Sequence, residues 1–235
     1  MKWYEKFDYE RNPFELDPLN TKFNLLGRDK EAKEILYRII SGNIFLIEGK
    51  EGMGKTVLLK HAIDNFKGHG KVIYIDGNKM SGSINVKRLL MNRSGLIKGK
   101  LSKKIAEDMI LLLDNVQCLS KRDNEKIKYY FDQNNLKSVI FTTIDYSGVN
   151  IGEAVKDRIG NNFIKLKNLS VKVALEIVQE RLDGAKVFSN VLLKELYESS
   201  DKNIKKFLFN CGEICELVIE DGREKATKED IKRIK

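Results

Sequence analysis

Three glycines, a lysine and a threonine lie within eight residues of one another, in a spacing suited to binding phosphate groups. Residues 49–56 read Gly-Lys-Glu-Gly-Met-Gly-Lys-Thr. The glycines leave room for successive backbone N–H groups to point into one concavity. Lys55 would bridge the β- and γ-phosphates of a nucleoside triphosphate, and the Thr56 hydroxyl would take one position on Mg²⁺. The predicted nucleotide contacts in and next to this loop are Gly49, Gly52, Met53, Gly54, Lys55, Thr56 and Val57.

The segments on either side of the loop favour this interpretation over a chance match in an ordinary glycine turn. Residues 43–48 contain the apolar run Ile-Phe-Leu-Ile, which is typical of a buried strand. Residues 55 to about 66 have the pattern of a helix, whose N-terminal dipole would add positive potential at the phosphates. The loop therefore predicts a site for ATP or ADP with Mg²⁺.

A second group with chemistry follows another apolar run, Met-Ile-Leu-Leu-Leu, which ends at Asp114. A parallel sheet would place this strand end beside the phosphate loop, where the carboxylate of Asp114 would hold Mg²⁺ together with Thr56. A hydrolytic site normally has a second acid next, and here that residue is Asn115. A neutral amide holds a water molecule but does not accept its proton. We therefore expect weak ATP hydrolysis, or nucleotide binding without hydrolysis.

These residues need a scaffold, and the chain alternates apolar strand patterns with helical ones. The predicted strands are residues 43–48, 71–76, 109–114, 138–143 and 162–166. Strands that alternate with helices specify an α/β fold, here a doubly wound five-stranded parallel sheet of the P-loop NTPase type. After residue 166 only helical patterns follow. We expect an N-terminal arm at 1–24, a nucleotide-binding domain at 25–167 and a small helical lid domain at 168–235.

The N-terminal arm is rich in aromatic residues, namely Trp3, Tyr4, Phe7 and Phe14. We expect this arm to pack on the sheet rather than to form a platform for stacking bases.

Composition limits the class of protein. The chain has 235 residues, of which 42% are hydrophobic and 33% charged. Its sequence has no apolar run near the ~20 residues that span a membrane, and the N-terminus lacks the apolar core of a signal peptide, so we expect a cytoplasmic protein. Three cysteines without a nearby histidine cluster do not favour a metal site.

The net charge of +9 is unevenly distributed. Between residues 77 and 106 there are eight basic residues and no acidic one. Such a segment is typical of contact with a nucleic acid backbone, although a solvated basic face is the alternative and no aromatic residue is interleaved to stack a base. The expected DNA contacts are Lys79, Lys87, Arg88, Arg93, Lys98, Lys100, Lys103 and Lys104.

The chain from about residue 26 to residue 234 resembles an AAA+ ATPase. Residues 25–32, Leu-Leu-Gly-Arg-Asp-Lys-Glu-Ala, are similar to the segment that flanks adenine in the origin-recognition and cell-division-control initiators. Residues 112–119, Leu-Leu-Asp-Asn-Val-Gln-Cys-Leu, resemble the DEAQ box of bacterial secretion and transposition ATPases, which also open with the Asn-Pro-Phe motif found at 12–14. The resemblance implies that Arg28 contacts the nucleotide, although a surface ion pair with Glu31 or Glu34 is an alternative.

The same resemblance suggests roles for three further positions. Thr142 and Thr143 fall where the family has its sensor 1 residue, and Thr143 is the better candidate. Residues 154–159 resemble the segment whose arginine, here Arg158, reaches the γ-phosphate of the neighbouring subunit. Residues 202–208 resemble the sensor 2 signature, with Lys205 where arginine is usual. Strand formation, an exposed helix charge and a solvated lysine are the respective alternatives. The expected catalytic residues are therefore Lys55, Asp114, Asn115, Thr143, Arg158 and Lys205.

Three functions remain open from the sequence. The first is an AAA+ protein that assembles through ATP, as a homo-oligomer or with another AAA+ subunit, and acts on DNA or on a DNA-bound partner. The second is a nucleotide-binding interaction module without hydrolysis, which Asn115 favours. The third is a secretion or signalling ATPase that acts on proteins, which the Asn-Pro-Phe motif favours and the basic segment does not.

Overall fold

The computed structural model describes residues 2–18, 24–66, 71–80, 82–98 and 105–234, with the backbone alone at 94–98 and 118. These residues form two compact units. The sheet unit comprises Arg28–Glu51 and Lys55–Leu166, and the helical unit comprises Met1–Gly27, Gly52–Gly54 and Lys167–Lys235. Among the described residues, no helix is both long and apolar enough to cross a membrane.

The sheet unit is built on five parallel strands in the order β2-β3-β4-β1-β5. The strands are β1 (Ile44–Glu48), β2 (Val72–Asp76), β3 (Met109–Asp114), β4 (Leu136–Thr143) and β5 (Phe163–Lys165). The predicted α/β fold class with a five-stranded parallel sheet is confirmed. Because all strands run in one direction, their carboxyl ends meet at one edge, where Asp76 pairs with Asp114 and Glu48 with Thr143.

Helices of the sheet unit supply the apolar surface that buries the central strands. They are α1 (Asp29–Ser41), α2 (Lys55–Asn65), α3 (Val86–Lys98), α4 (Lys121–Asp132) and α5 (Glu153–Ile159). Strand β3 is buried at all six positions, in agreement with its continuous apolar sequence. Ser120 begins α4 with a capping box, because its hydroxyl accepts from the backbone N–H of Asp123 and Asp123 accepts from the N–H of Ser120.

The helical unit contains four α-helices within the described residues: α6 (Val171–Arg181), α7 (Asn190–Ser199), α8 (Ile204–Glu220) and α9 (Lys228–Arg233). Their starts follow the sequence closely. Ser170 and Ser189 accept hydrogen bonds from the backbone N–H groups of Val173 and Leu192, at 3.3 and 3.2 Å. These contacts satisfy amide groups that a helix leaves unpaired at its first turn.

The N-terminal aromatic residues do not pack on the sheet, so that expectation is wrong. Trp3 and Phe14 are only 8% and 3% exposed and join the core formed by α6, α7 and α8. Their rings stack with centroids 6.0 Å apart, and the Tyr9 hydroxyl donates to the carbonyl oxygen of Leu182. Three short helices with one-sided apolar faces leave a gap in a small core, and the large N-terminal rings fill it.

Candidate functional site

The glycines of the 49–56 loop have the backbone angles that such a loop needs. Gly52 and Gly54 have φ angles of +78° and +90°, in the left-handed region that L-amino acids with a side chain rarely adopt. A Cβ atom at Gly52 would also lie 2.8 Å from the Cβ of Lys205. The N–H of Gly49 donates to the carbonyl oxygen of Thr143 at 3.1 Å, which anchors the start of the loop to β4.

Lys55 is the first residue of α2, and its ammonium group is buried at the loop. The residue is 6% exposed, and its Nζ lies 2.5 Å from the carbonyl oxygen of Gly49 and 3.0 Å from that of Lys50. Burial lowers the pKa of Lys55, and the nearby carboxylate of Asp114 partly offsets this effect. A buried cation at a helix N-terminus is a strong binding group for an anion, because both favour negative charge.

Asp114 is the centre of a cluster of hydroxyl groups at the carboxyl edge of the sheet. It is 1% exposed, and its Oδ2 accepts from Thr56 Oγ1 at 2.5 Å and from the Tyr74 hydroxyl at 3.1 Å. Its Oδ1 accepts from the hydroxyl of Thr142. The structure thus brings together Thr56 and Asp114, the two residues that we expected to hold Mg²⁺. Carboxylate and hydroxyl oxygens are donors that suit this hard cation.

The two threonines at the end of β4 have different partners, because neighbouring side chains on a strand point to opposite faces. Thr142 contacts Asp114 and also accepts from the backbone N–H of Asn115 at 2.9 Å. The hydroxyl of Thr143 donates to the carbonyl oxygen of Asp145 at 3.2 Å. Of these two, the structure brings Thr142 to the carboxylate, whereas the sequence analysis favoured Thr143.

Asn115 follows β3 in a left-handed conformation with φ of +58°. Its side-chain Nδ2 donates to Oδ1 of Asp76 at 3.0 Å, and Asp76 is the last residue of β2. The sequence analysis did not single out Asp76, Tyr74 or Thr142. For Asp76 a signal existed, because it ends a strand by the same pattern that identified Asp114.

The remaining nucleotide contacts expected from the sequence differ in exposure. Arg28 is buried at the start of α1, and its guanidinium donates to Glu31 at 3.0 Å, so the ion pair considered as an alternative is present. Met53 is buried, and Val57 is exposed on α2. In the helical unit, the backbone N–H of Lys205 donates to the carbonyl oxygen of Gly52 at 3.3 Å.

Arg158 has a partner within its own chain, contrary to our premise that it has no ligand there. Its guanidinium donates to Oδ1 of Asp132 at 2.6 Å. Asp132 also accepts from Lys128 at 2.9 Å, and these contacts, led by that of Lys128, lower the pKa of its carboxyl group. The premise failed because the end of α4 lies beside α5, a packing that the sequence pattern does not specify.

The described part of the basic segment presents exposed charge. Lys79, Lys87 and Arg88 are exposed, and Arg93 is partly exposed. Within the described residues, none of these four makes an ion pair with an acidic side chain. The backbone of Lys98 ends α3, whereas Lys100, Lys103 and Lys104 lie outside the described residues.

A glycine loop between β1 and α2, with a buried lysine and an acidic residue at the end of β3, defines a P-loop NTPase fold. Solved structures with a similar fold include the Aeropyrum pernix ORC1 protein in complex with DNA, at a TM-score of 0.75 and 15% identity, covering 95% of this chain and 68% of that one. CDC6P from Pyrobaculum aerophilum gives a TM-score of 0.70 and 14% identity, covering 93% and 69%. A RuvB variant from Thermotoga maritima gives 0.67 and 13%, covering 88% and 68%.

These likenesses show that the chain has the fold of AAA+ ATPases of the Orc1/Cdc6 and RuvB kind. The recognition of an AAA+ initiator-like fold from the sequence is therefore confirmed. No protein family model and no curated protein matches the sequence. The resemblance to the DEAQ-box ATPases stays a prediction.

Proposed function

We propose that this chain is an AAA+ protein that binds ATP or ADP with Mg²⁺, assembles through the nucleotide, and acts on DNA or on a DNA-bound partner. The observation that carries the proposal is the cluster at the carboxyl edge of the sheet, where Lys55 lies buried in a glycine loop and Thr56 contacts Asp114. The cluster supplies a cation for phosphate and oxygen donors for a metal ion, and it occurs in an AAA+ fold.

The residues present fit a magnesium nucleotide. Thr56 and Asp114 would hold Mg²⁺, which neutralises charge on the phosphates when it is bound. Lys55 would contact the phosphates, and Arg28, Met53 and Val57 are the proposed further contacts on the nucleotide. No cluster of three or more His, Cys, Asp or Glu occurs in the described residues, which accords with a metal held largely by phosphate and water.

Weak hydrolysis is part of the proposal. Asn115 stands where a carboxylate would take the proton of the attacking water, and general-base catalysis is typically worth ~10²–10⁴-fold. Thr142, through its contact with Asp114 and the N–H of Asn115, is a better candidate than Thr143 for the polar sensor at this edge. Lys205 is the proposed sensor of the helical lid domain, residues 168–235.

Action on DNA is supported by the exposed, unpaired charges of Lys79, Lys87 and Arg88. Binding to phosphate backbones by such residues releases counterions and so depends strongly on salt. The structure of the Aeropyrum pernix ORC1 protein contains DNA, which supports the same reading for this chain. The expected cytoplasmic location belongs to this proposal, because ATP and chromosomal or plasmid DNA would both be available there.

Assembly through nucleotide needs Arg158 to leave Asp132. The guanidinium is 45% exposed, and the ion pair that holds it lies at the surface, where such pairs contribute about 0–1 kcal/mol. A γ-phosphate of a neighbouring subunit is a more highly charged acceptor than one carboxylate, so the exchange is favourable. The proposed partner is a second copy of this chain or another AAA+ subunit.

Two alternatives from other classes have a specific observation each. A nucleotide-binding interaction module without hydrolysis is favoured by Asn115, whose amide is already engaged by Asp76. A secretion or signalling ATPase that acts on proteins is favoured by the Asn-Pro-Phe sequence at 12–14. There Asn12 Oδ1 accepts from the N–H of Phe14 at 2.9 Å, and Phe14 is buried, so this motif has a structural use in the helical unit.

One experiment separates the three. ATP turnover is measured with and without duplex DNA, alongside binding of a fluorescent nucleotide. We expect tight binding, slow turnover and a change of turnover with DNA. Binding with no turnover under either condition would select the interaction module, and turnover indifferent to DNA would favour the ATPase that acts on proteins. Absence of nucleotide binding would refute the proposal as a whole.

A further inference from the structure

An acid and an amide stand at the ends of the neighbouring strands β2 and β3. Oδ1 of Asp76 accepts from Nδ2 of Asn115 at 3.0 Å and from the backbone N–H of Asn78 at 3.1 Å. Asp76 pairs in register with Asp114, so Asn115 lies one residue past the paired strand ends. The site therefore contains a second carboxylate next to the position where the sequence shows only an amide.

Asn115 is fixed at both its backbone and its side chain. Its N–H donates to Thr142 Oγ1 at 2.9 Å, and its left-handed backbone turns the side chain back toward β2. An ionised carboxylate only accepts hydrogen bonds, so it selects the NH₂ end of the amide. The oxygen end of Asn115 is thereby directed away from Asp76.

We propose that Asp76 is a positioning residue for ATP hydrolysis, which sets the Asn115 amide so that its Oδ1 accepts a hydrogen bond from the attacking water. This inference rests on the proposed function, because it requires ATP at the 49–56 loop. The acid and the hydrogen-bonding amide of this edge are both present, but the acid ends β2 and the amide follows β3. Turnover is slow because the residue that holds the water is the neutral member of the pair.

The pairing determines what a new carboxylate at position 115 would do. Asn115→Glu alone would place two carboxylates side by side, and like charges at this separation disfavour that arrangement. Combining Asn115→Glu with Asp76→Asn exchanges the two functional groups. The introduced amide would then donate to the introduced carboxylate and direct its other oxygen toward the water.

The test compares the wild type, Asp76→Asn, Asn115→Glu and the double variant in single-turnover assays with ATP labelled at the γ-phosphate. Asp76→Asn should lower the rate constant about tenfold, because loss of a hydrogen bond to a charged group typically has at least this effect. The double variant should exceed both the wild type and Asn115→Glu by about tenfold or more. Nucleotide affinity should stay the same in all four proteins.

Controls separate this role from a structural one. Asp145→Asn changes another aspartate that follows a strand at this edge, one that accepts from Ser147 and not from Asn115, and it should leave the rate unchanged. A double variant no faster than Asn115→Glu alone would overturn the inference, as would an unaltered rate in Asp76→Asn. If the wild type fails to bind ATP at all, the proposed function fails first, and the binding measurement shows this independently of turnover.

Discussion

Replacement of Lys55 by alanine should remove most of the affinity for nucleotide. An ammonium group has three N–H donors, and in this structure two of them meet the carbonyl oxygens of Gly49 and Lys50, at 2.5 and 3.0 Å. At least one donor is left for a phosphate oxygen. A hydrogen bond to a charged group is worth about 1.5–3 kcal/mol, which corresponds to a loss of about 10- to 150-fold in affinity. The loss becomes larger if bound phosphate also attracts the other two donors.

The assay is the dissociation constant for a fluorescent ATP analogue with Mg²⁺. Lys33→Ala, which removes an exposed lysine from α1, serves as the matched control and should bind as the wild type does. Because burial lowers the pKa of Lys55, its charged form is disfavoured in the folded protein, and Lys55→Ala should not lower the melting temperature without nucleotide. A variant that melts normally and binds ATP with wild-type affinity would refute the assignment of the phosphate loop.

Three further outcomes are expected. Nucleotide affinity should begin to fall below pH 10.5 as the solution is made alkaline, since a lowered pKa means that Lys55 loses its proton, and with it the attraction for phosphate, earlier than a free lysine does; a titration of affinity against pH in the wild type measures this. Asp132→Asn should strengthen ATP-dependent self-association in sedimentation, because it weakens the hold on Arg158, whereas Arg158→Ala should abolish it; a monomer under every condition would contradict homo-oligomerisation. Replacing Lys87 and Arg88 by glutamate should weaken binding to duplex DNA about equally for unrelated sequences and reduce its salt dependence, with ATP affinity unchanged; DNA binding that ignores these substitutions would exclude α3 as the contact.

The sequence was sufficient for the sheet and for the order of its helices. Strand β3 is apolar at five consecutive positions and ends in Asp114, and the glycine loop lies between a strand and a helix, so both could be located by local patterns alone. The partners of these residues could not be located in this way. The contact of Asn115 with Asp76 depends on strand register and on a left-handed backbone angle.

Arg158 illustrates a different limit. Its position on a helix was predicted, but its pairing with Asp132 joins two helices that the sequence does not place side by side. The aromatic arm was also misjudged, because Trp3 and Phe14 fit either apolar core by composition. Only the shape of the gap between short helices decides which core they fill.

The participation of Trp3 and Phe14 in the same core as α8 also has a consequence for biosynthesis. The ribosome makes these two rings first, yet the helix that completes their surroundings extends to Glu220 near the end of the 235-residue chain. During translation the intervening sheet can form from contacts already available, while the first residues wait with their aromatic surface in water. A fusion partner or truncation at the amino terminus should therefore be felt by the carboxyl-terminal helices, and a nascent chain arrested before α8 should expose aromatic surface that chaperones recognise.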